Sequence, residues 1–443
     1  MKRTLMWLPL SLLVLMPLVS SCGPSGDQDL NIALDVEDEG RYDELFALFQ
    51  EETGIEIHAT YGQDISKLIG TRDEPDIIKT STVVVTSMQP SLLDLTDLIE
   101  SDDELDVNDY YDNLIAALTI DGSLYALPTS INTSLLYYNK TMFDEKAGAL
   151  RTALGLGTED SVYPQSDWTY DDYQTAGVVL SDYTGTGEDI EYSSFGAETQ
   201  LTWWGEWYVY VQQMGGTFYA PDSNNHVCAI NSPEGIAATE FFREKSMGDP
   251  ETKFAPDATE NVGGFSFLGG NVAMIFGGHM GDWFSYDAIG LDWDIQVLPK
   301  PANRPEARGG EISADAFGIS VRSRKAESAF SFLKMWTGPQ GALKMYEFGK
   351  VGALKDMENL IASLPEEMQK DINVSALFDA IDEAVTLPNE KDFSKVMREI
   401  VMADIYRLMY VDDRGSNETD VTKVLNRVKA NVDAYYASLY GQG

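Results

Sequence analysis

The chain has 443 residues, with 31 Lys+Arg against 72 Asp+Glu, a formal charge of −41, and 2 Cys. The length suits two domains of roughly 100–200 residues each, and 44% hydrophobic residues with 8 Trp, 18 Phe and 22 Tyr exclude global disorder. The acid excess argues against a nucleic-acid partner, because that binding rests on Lys and Arg neutralising phosphates, and it disfavours attraction to anionic lipid on the same ground.

Lys2 and Arg3 precede an apolar run from Leu5 to Leu18, the charged n-region and apolar h-region of an export signal. The run closes on Val19-Ser20-Ser21-Cys22, which resembles a bacterial lipobox. That resemblance implies a signal peptide over 1–21, diacylglycerol on Cys22, and a polar tether over 22–28 (Gly23-Pro24-Ser25-Gly26-Asp27-Gln28 after the Cys). Loss of Lys2 and Arg3 leaves 29 basic against 72 acidic residues, a charge of −43. With Cys22 taken by lipid, Cys228 has no partner for a disulfide and reads as a small buried residue in a strand Cys228-Ala229-Ile230. No later run reaches the ~18 apolar residues of a membrane span. The expected location is the cell envelope, as a body held by its lipid.

The body opens with alternation at Leu30, Ile32 and Leu34, a strand. Tyr42, Leu45, Phe46 and Phe49 follow at i, i+3, i+4, i+7, an amphipathic helix that Gly54 is placed to stop. Ile55 and Ile57 resume alternation, so strand–helix–strand predicts a parallel sheet and an α/β domain. Pro75–Ile78 reads as a further strand and Val83–Met88 as a helix. Asp121-Gly122 marks a tight turn before a strand Ser123–Pro128 closed by its proline, with another strand over Ser134–Tyr138. Tyr137 and Tyr138 lie on opposite faces, which predicts one ring buried and one near a cleft. Glycine pairs at 215–216, 263–264, 269–270, 277–278 and 309–310 mark turns or close backbone approaches. The C-terminal part is helical, with stripes Phe393, Val396, Met397, Ile400 and Val421, Val424, Leu425, Val428, Val432.

Several segments, in order, resemble the extracellular solute-binding proteins of the maltose-binding type. Phe49–Ile55 (FQEETGI) is similar to that family's F-E-x-x-T-G-I, and Asp121–Pro128 (DGSLYALP) to D-G-K-L-Y-G-L-P. Leu136–Phe143 (LYYNKTMF) is similar to L-x-Y-N-K-x-L-F, Phe267–Met274 (FLGGNVAM) to F-x-x-G-K-A-A-M with Asn271 in place of the frequent Lys, and Trp293–Pro299 (WDIQVLP) to W-x-V-x-P-L-P. Pro75–Ile78 and Ala329–Lys334 complete the series. The resemblance implies a two-lobed α/β periplasmic-binding-protein fold, a mixed sheet flanked by helices in each lobe, with a hinge between them. It assigns 29–130 and 299–348 to lobe I and 131–298 and 349–443 to lobe II. It implies a sugar or oligosaccharide in the cleft and docking of the closed form on the permease subunits of an ATP-binding-cassette importer. A monomer without cofactor is expected.

A sugar offers hydroxyls, which suit carboxylates and amides, and C–H faces, which suit flat rings. Thr202–Tyr208 (TWWGEWY) is the most suggestive cluster. On a helix Trp204, Trp207, Tyr208 and Val211 share one stripe, and Trp207 and Tyr208 read as core. Trp203 falls off that stripe with Glu206, Tyr210 and Gln213, so Trp203, with Trp204 beside it, is a candidate for stacking on a sugar. By the resemblance, His279 takes the family's stacking position after Gly277-Gly278, with Trp283 as its substitute; capping and core packing are the competing readings. The resemblance also places Asn132, Glu37 and Asp38 against the ligand, where a solvated turn and a helix N-terminal acid pair compete. Thr80 and Ser81 follow a strand and either bind ligand or cap the next helix. Three His without a close His or Cys partner in sequence predict no metal site. No G-x-S-x-G, H-E-x-x-H, phosphate-loop or dinucleotide motif occurs, so catalysis is not expected. A polyol, a phosphorylated polyol or a peptide are the alternative ligands, and a secreted glycan-acting enzyme or a sensory lipoprotein the rival classes.

Overall fold

A computed structural model describes residues 28–441 apart from 202, 222, 225, 250, 279–282, 308–309, 389 and 411–417. The opening strand is β1 (Leu30–Leu34), the amphipathic helix α1 (Asp43–Thr53) and the second strand β2 (Ile57–Tyr61). Gly54 ends α1 at φ 75°, where its N–H reaches Gln50 O at 2.8 Å. β3 (Ile77–Ser81) follows, and a short helix covers Val85–Met88. β4 (Leu127–Thr133) carries Pro128 inside it, so the proline does not close the strand as expected; it sits opposite Ala316. β5 (Leu135–Asn139) comes directly after. The helices α2 (Gly205–Gln213) and α3 (Pro233–Met247) precede β6 (Met274–Gly278), α4 (Trp283–Ala288) and β7 (Trp293–Gln296). β8 (Glu311–Ile319), α5 (Ala326–Thr337), β9 (Val385–Thr386), α6 (Phe393–Val396) and α7 (Val421–Tyr440) complete the parts that matter below.

The large sheet runs β9–β8–β3–β1–β2, with β4 on the other edge of β8. β1 pairs in parallel with β2, Leu30 opposite Ile57, and with β3, Ile32 opposite Ile77, as strand–helix–strand predicts. β8 is antiparallel to both β3 and β4, so the sheet is mixed. The small sheet is β6–β5–β7, antiparallel throughout. The chain passes from one sheet to the other at Ser134, between β4 and β5.

Three cores result. The first lies under the large sheet, where Phe46 and Phe49 of α1 meet Phe332 of α5 at 5.8 and 5.0 Å between ring centres, with Trp336 beside them. Full burial of each such ring contributes roughly 1.5–3 kcal/mol. The second surrounds α2 and takes in α3, α6 and α7. The third lies between the sheets, from Ile312 and Ala314 of β8 to Tyr137, Trp283, Trp293 and Tyr346.

β5 explains its own pair of tyrosines. Leu136 and Tyr138 enter the second core, while Leu135 and Tyr137 enter the third. The strand faces alternate as expected, yet both are dry, so neither tyrosine faces a cleft: Tyr137 is 0% and Tyr138 5% exposed. Burial and the neighbouring Asp294, which accepts from the Tyr138 hydroxyl at 3.1 Å, hold that phenol far above its ordinary pKa. Cys228 is buried and makes one bridge to Tyr219 instead of a strand. Burial pushes its thiol up to about 11, which makes it a poor nucleophile. Among the described residues no helix is long and apolar enough to cross a membrane.

Candidate functional site

The clearest concavity among the sequence-predicted residues is a cavity of about 380 Å³ beside the start of α2 and the end of β6. Trp203 and Tyr286 supply its rings, Leu268 and Ile275 its aliphatic wall, and Glu198, Gln200, Asn261, Ser266 and Ser285 its polar groups. The loop 198–203 is built rigidly. Glu198 N donates to Met274 O at 2.8 Å, Gln200 Nε2 to Phe276 O at 3.0 Å, and Asn261 Nδ2 to Thr199 O at 3.0 Å.

Beneath the loop sits a charged pair with both side chains fully buried, Glu206 of α2 and Lys245 of α3. Burial raises the Glu206 carboxyl and lowers the Lys245 ammonium from their ordinary pKa values, with mutual attraction opposing both shifts. Their remaining hydrogen-bonding capacity is used locally: Gln200 N and Tyr210 OH donate to Glu206 at 2.9 and 3.0 Å, and Lys245 donates to Glu198 O at 2.6 Å. The pair ties two helices to the loop that carries Trp203. A buried pair of this kind fixes geometry more than it adds stability.

Trp203 is half-buried and lies against Trp204, ring centres 4.4 Å apart. Its ring folds over the helix start because residue 205 is glycine; a Cβ there would sit 2.1 Å from the indole nitrogen. Trp204 is 2% exposed and packs edge-on against Phe393 at 5.6 Å. It belongs to the core and offers no face to a cavity. Trp283 is likewise buried, its indole N–H donating to Tyr137 OH at 2.7 Å. Being off the main stripe does not by itself expose Trp203's side of the helix, because Glu206, Tyr210 and Gln213 there are buried too: α2 is enclosed on nearly all sides. His279 and Cys22 lie outside the described residues.

The remaining candidates lie on the large-sheet lobe. Glu37 is exposed in the turn after β1, and Asp38, 2% exposed, accepts from Tyr42 OH at 3.3 Å and Arg41 at 3.4 Å. Thr80 is buried at the end of β3, and its hydroxyl has no hydrogen-bond partner among the described residues. Ser81 and Asn132 are half-buried, opposite Asp315 and Ser313 of β8. Sequence reasoning missed the charges around them. Lys79 pairs with Asp35 and lies 3.8 Å from Asp38, while Lys350 lies 3.4 Å from Asp315, which also accepts from Ser130 at 3.4 Å. Burial works to raise the Asp315 carboxyl, but Lys350 and Lys79 outweigh it and hold it below its ordinary range. The only signal for this set is the β3–β8 register, which sequence does not reveal. Asp29, Glu56 and His58 form a metal-sized group with ligand atoms within 4.8 Å, but it is solvent-facing at the opposite end of β1.

The two lobes approach at Ser87 and Asp392. Asp392 N donates to Ser87 Oγ at 3.2 Å, and Ser87 Oγ to Asp392 Oδ1 at 3.4 Å. Val85, two residues earlier, belongs to the core under the large sheet, and Phe393 to the core around α2.

Two sheets, each with a core of its own and a third core between them, joined by the strands that cross at Ser134, are the architecture of a two-lobed periplasmic binding protein. Solved structures agree on this fold. The ABC substrate-binding protein Lmo0181 from Listeria monocytogenes, in complex with cycloalternan, superposes with a TM-score of 0.74 at 20% identity, covering 92% of this chain and 98% of that one. UgpB from Mycobacterium tuberculosis, in complex with glycerophosphocholine, gives 0.70 at 18%, covering 92% and 99%. The sugar-binding protein MalE from Xanthomonas citri gives 0.70 at 14%, covering 93% and 100%. Comparison with curated protein sequences gives no match. The family model described as bacterial extracellular solute-binding protein matches residues 44–376, and the chain belongs to that family.

Proposed function

We propose that the protein is the lipid-anchored receptor of an ATP-binding-cassette importer and binds a sugar or oligosaccharide between its lobes. One observation carries the ligand class: the cavity beside α2 sets the rings of Trp203 and Tyr286 against Glu198, Gln200, Asn261, Ser266 and Ser285. Rings bury C–H faces at little entropic cost, and amides, hydroxyls and a carboxylate exchange hydrogen bonds with hydroxyls. The stacking role falls to Trp203, with Trp204 and Trp283 supporting from the core. The opposing lobe contributes Glu37, Thr80 and Ser81, with Asp38 ordering the turn, and Asn132 adds its amide beside the crossing between the lobes. The cycloalternan complex of the Listeria monocytogenes protein and the sugar-binding character of Xanthomonas citri MalE support this class.

The lobe assignment, 29–130 with 299–348 against 131–298 with 349–443, is part of the proposal; the passage of the chain between the sheets at Ser134 supports it. So is lipidation at Cys22, which places the body in the envelope beside its permease. We read the protein as a non-catalytic monomer. A phosphorylated polyol is the second reading, prompted by the glycerophosphocholine complex of UgpB. It is disfavoured because Lys79 and Lys350 are already set against Asp35, Asp38 and Asp315, a net negative group.

A thermal-shift screen of the mature protein against mono- and oligosaccharides, polyols and glycerophosphodiesters tests this. A cleft ligand at 100 times its Kd stabilises by about 2.7 kcal/mol. A shift with a saccharide alone supports the proposal; a shift confined to the phosphodiesters replaces it with the second reading. Release of reducing sugar from a glycan would overturn the non-catalytic reading.

A further inference from the structure

The end of the large sheet opposite the candidate site gathers exposed arginines in an acid-rich molecule. A cavity of about 300 Å³ there is lined by Arg72, Arg322, Arg324 and Lys325, with Glu74 and Asp76 as its only carboxylates. Arg322-Ser323-Arg324-Lys325 puts three bases in four residues, in a chain whose acids outnumber its bases 72 to 31.

The two carboxylates are turned inward and occupied. Glu74, 5% exposed in its side chain, accepts from Ser320 and lies 3.7 Å from Arg322. Asp76 accepts from Asn31 N at 3.0 Å and from Ser323 Oγ at 2.7 Å, and Lys325 lies 3.3 Å away. Arg72, Arg322 and Arg324 are exposed, Arg322 by 59%. Among the described residues no carboxylate comes within ion-pair distance of Arg72 or Arg324. Asp73 and Glu327, adjacent in sequence, and Glu56, exposed beside the half-buried Asp29, are the acids nearby.

A second observation is independent of the charge. The chain enters the body at this spot. Lys325 Nζ donates to Asp29 O at 2.5 Å, and Ser328 Oγ to Gln28 Oε1 at 2.8 Å. Five residues lie between Cys22 and Gln28, six Cα steps with a reach of about 20 Å at most. If Cys22 carries lipid, as proposed above, its bilayer lies within that reach of Gln28, at the end of the sheet that carries the arginines. Full extension is two to three Debye lengths at physiological salt, where the headgroup field is largely screened, so the arginines feel it when the body approaches within about one Debye length.

We propose that Arg72, Arg322 and Arg324 form a contact surface for the phosphates of anionic phospholipid headgroups, orienting the tethered body with its large-sheet end on the membrane. Arg suits this role through planar, bidentate pairing with phosphate oxygens. The acid-rich remainder is repelled by the same surface, which sharpens the orientation. Whole-chain charge argues against lipid attraction; three exposed arginines, with no close carboxylate on Arg72 or Arg324 among the described residues, supply it locally at the point of attachment.

The test separates this surface from the anchoring on which it rests. The mature chain carrying Cys22→Ser is held on vesicles by a hexahistidine at its N-terminus and a nickel-chelating lipid. Amide hydrogen exchange is compared on phosphatidylglycerol–phosphatidylcholine and on phosphatidylcholine alone. The expected result is severalfold slower exchange at Thr71–Asp73 and Ser320–Glu327 on the anionic vesicles, abolished by high salt and by Arg72→Gln/Arg322→Gln/Arg324→Gln. These exposed substitutions leave Lys325 and its structural bonds in place. Equal exchange on both vesicles, or protection that survives the triple substitution, overturns the surface. Anchoring is read separately, from the mass of the N-terminal peptide of the native membrane-extracted protein. Absence of a diacylglyceryl Cys22 overturns that reading while the vesicle comparison still decides the surface.

Discussion

Trp203 and Trp204 are neighbours in sequence with opposite duties. Trp204 is enclosed by Phe393, Tyr208 and Trp203, so Trp204→Ala leaves a cavity and should cost about 3–5 kcal/mol in denaturant unfolding. Trp203 is half-buried at the cavity wall. Trp203→Ala should weaken saccharide binding about tenfold or more by calorimetry and change the melting point of the empty protein far less. A large stability loss with unchanged affinity would move Trp203 into the core. Asp315 gives a pH prediction. Its folded pKa lies below its unfolded value, so its contribution is complete above the ordinary carboxylate range and is lost as pH falls through the folded pKa. Asp315→Asn should therefore be less stable than the parent at pH 7, and the gap should shrink steadily from about pH 4 downward. A pH-independent difference would mean that Lys79 and Lys350 do not set its charge.

At the scale of elements, the sequence revealed periodicity and concealed enclosure. β1, α1, β2 and the C-terminal stripes were legible because each has one buried face and a spacing of 2 or 3.6. α2 and β5 were legible as elements but not as enclosed ones, because both are buried nearly all round, and a residue off the main stripe there lies in another core and not in a cleft. The motif series fixed the family, since it depends on local segments; the charged set Lys79, Asp315 and Lys350 depends on strand register and stayed hidden. The Glu206–Lys245 pair is a further hidden link, joining α2 to α3 across 39 positions. Glu206→Gln should cost about 3–5 kcal/mol, because it strands the Lys245 ammonium in the core. Glu206→Gln with Lys245→Met should recover much of that stability. Affinity should stay low in both, because the carboxylate that fixed Gln200 N is gone. Recovery of affinity with stability would show that the loop needs only a folded floor.

For the whole molecule, binding requires that contacts from both lobes outweigh the open arrangement, so any group that biases the lobes changes affinity without touching ligand. Ser87 and Asp392 are such groups: they bond to each other while belonging to elements of separate cores. Ser87→Asp sets a second carboxylate against Asp392. At this exposed position the repulsion is about 1 kcal/mol, less at high salt. The approached state should lose about fivefold in population, and saccharide affinity should fall by the same factor, with a larger radius of gyration for the empty protein in small-angle scattering. Ser87→Asn keeps a donor and adds no charge, so it should behave as the parent does. Raising salt should return the Ser87→Asp variant toward the parent, which a local packing defect would not do. If Ser87→Asp changes neither the scattering nor the affinity, the contact does not move with the lobes, and closure must be sought at Ser134 and the strands beside it.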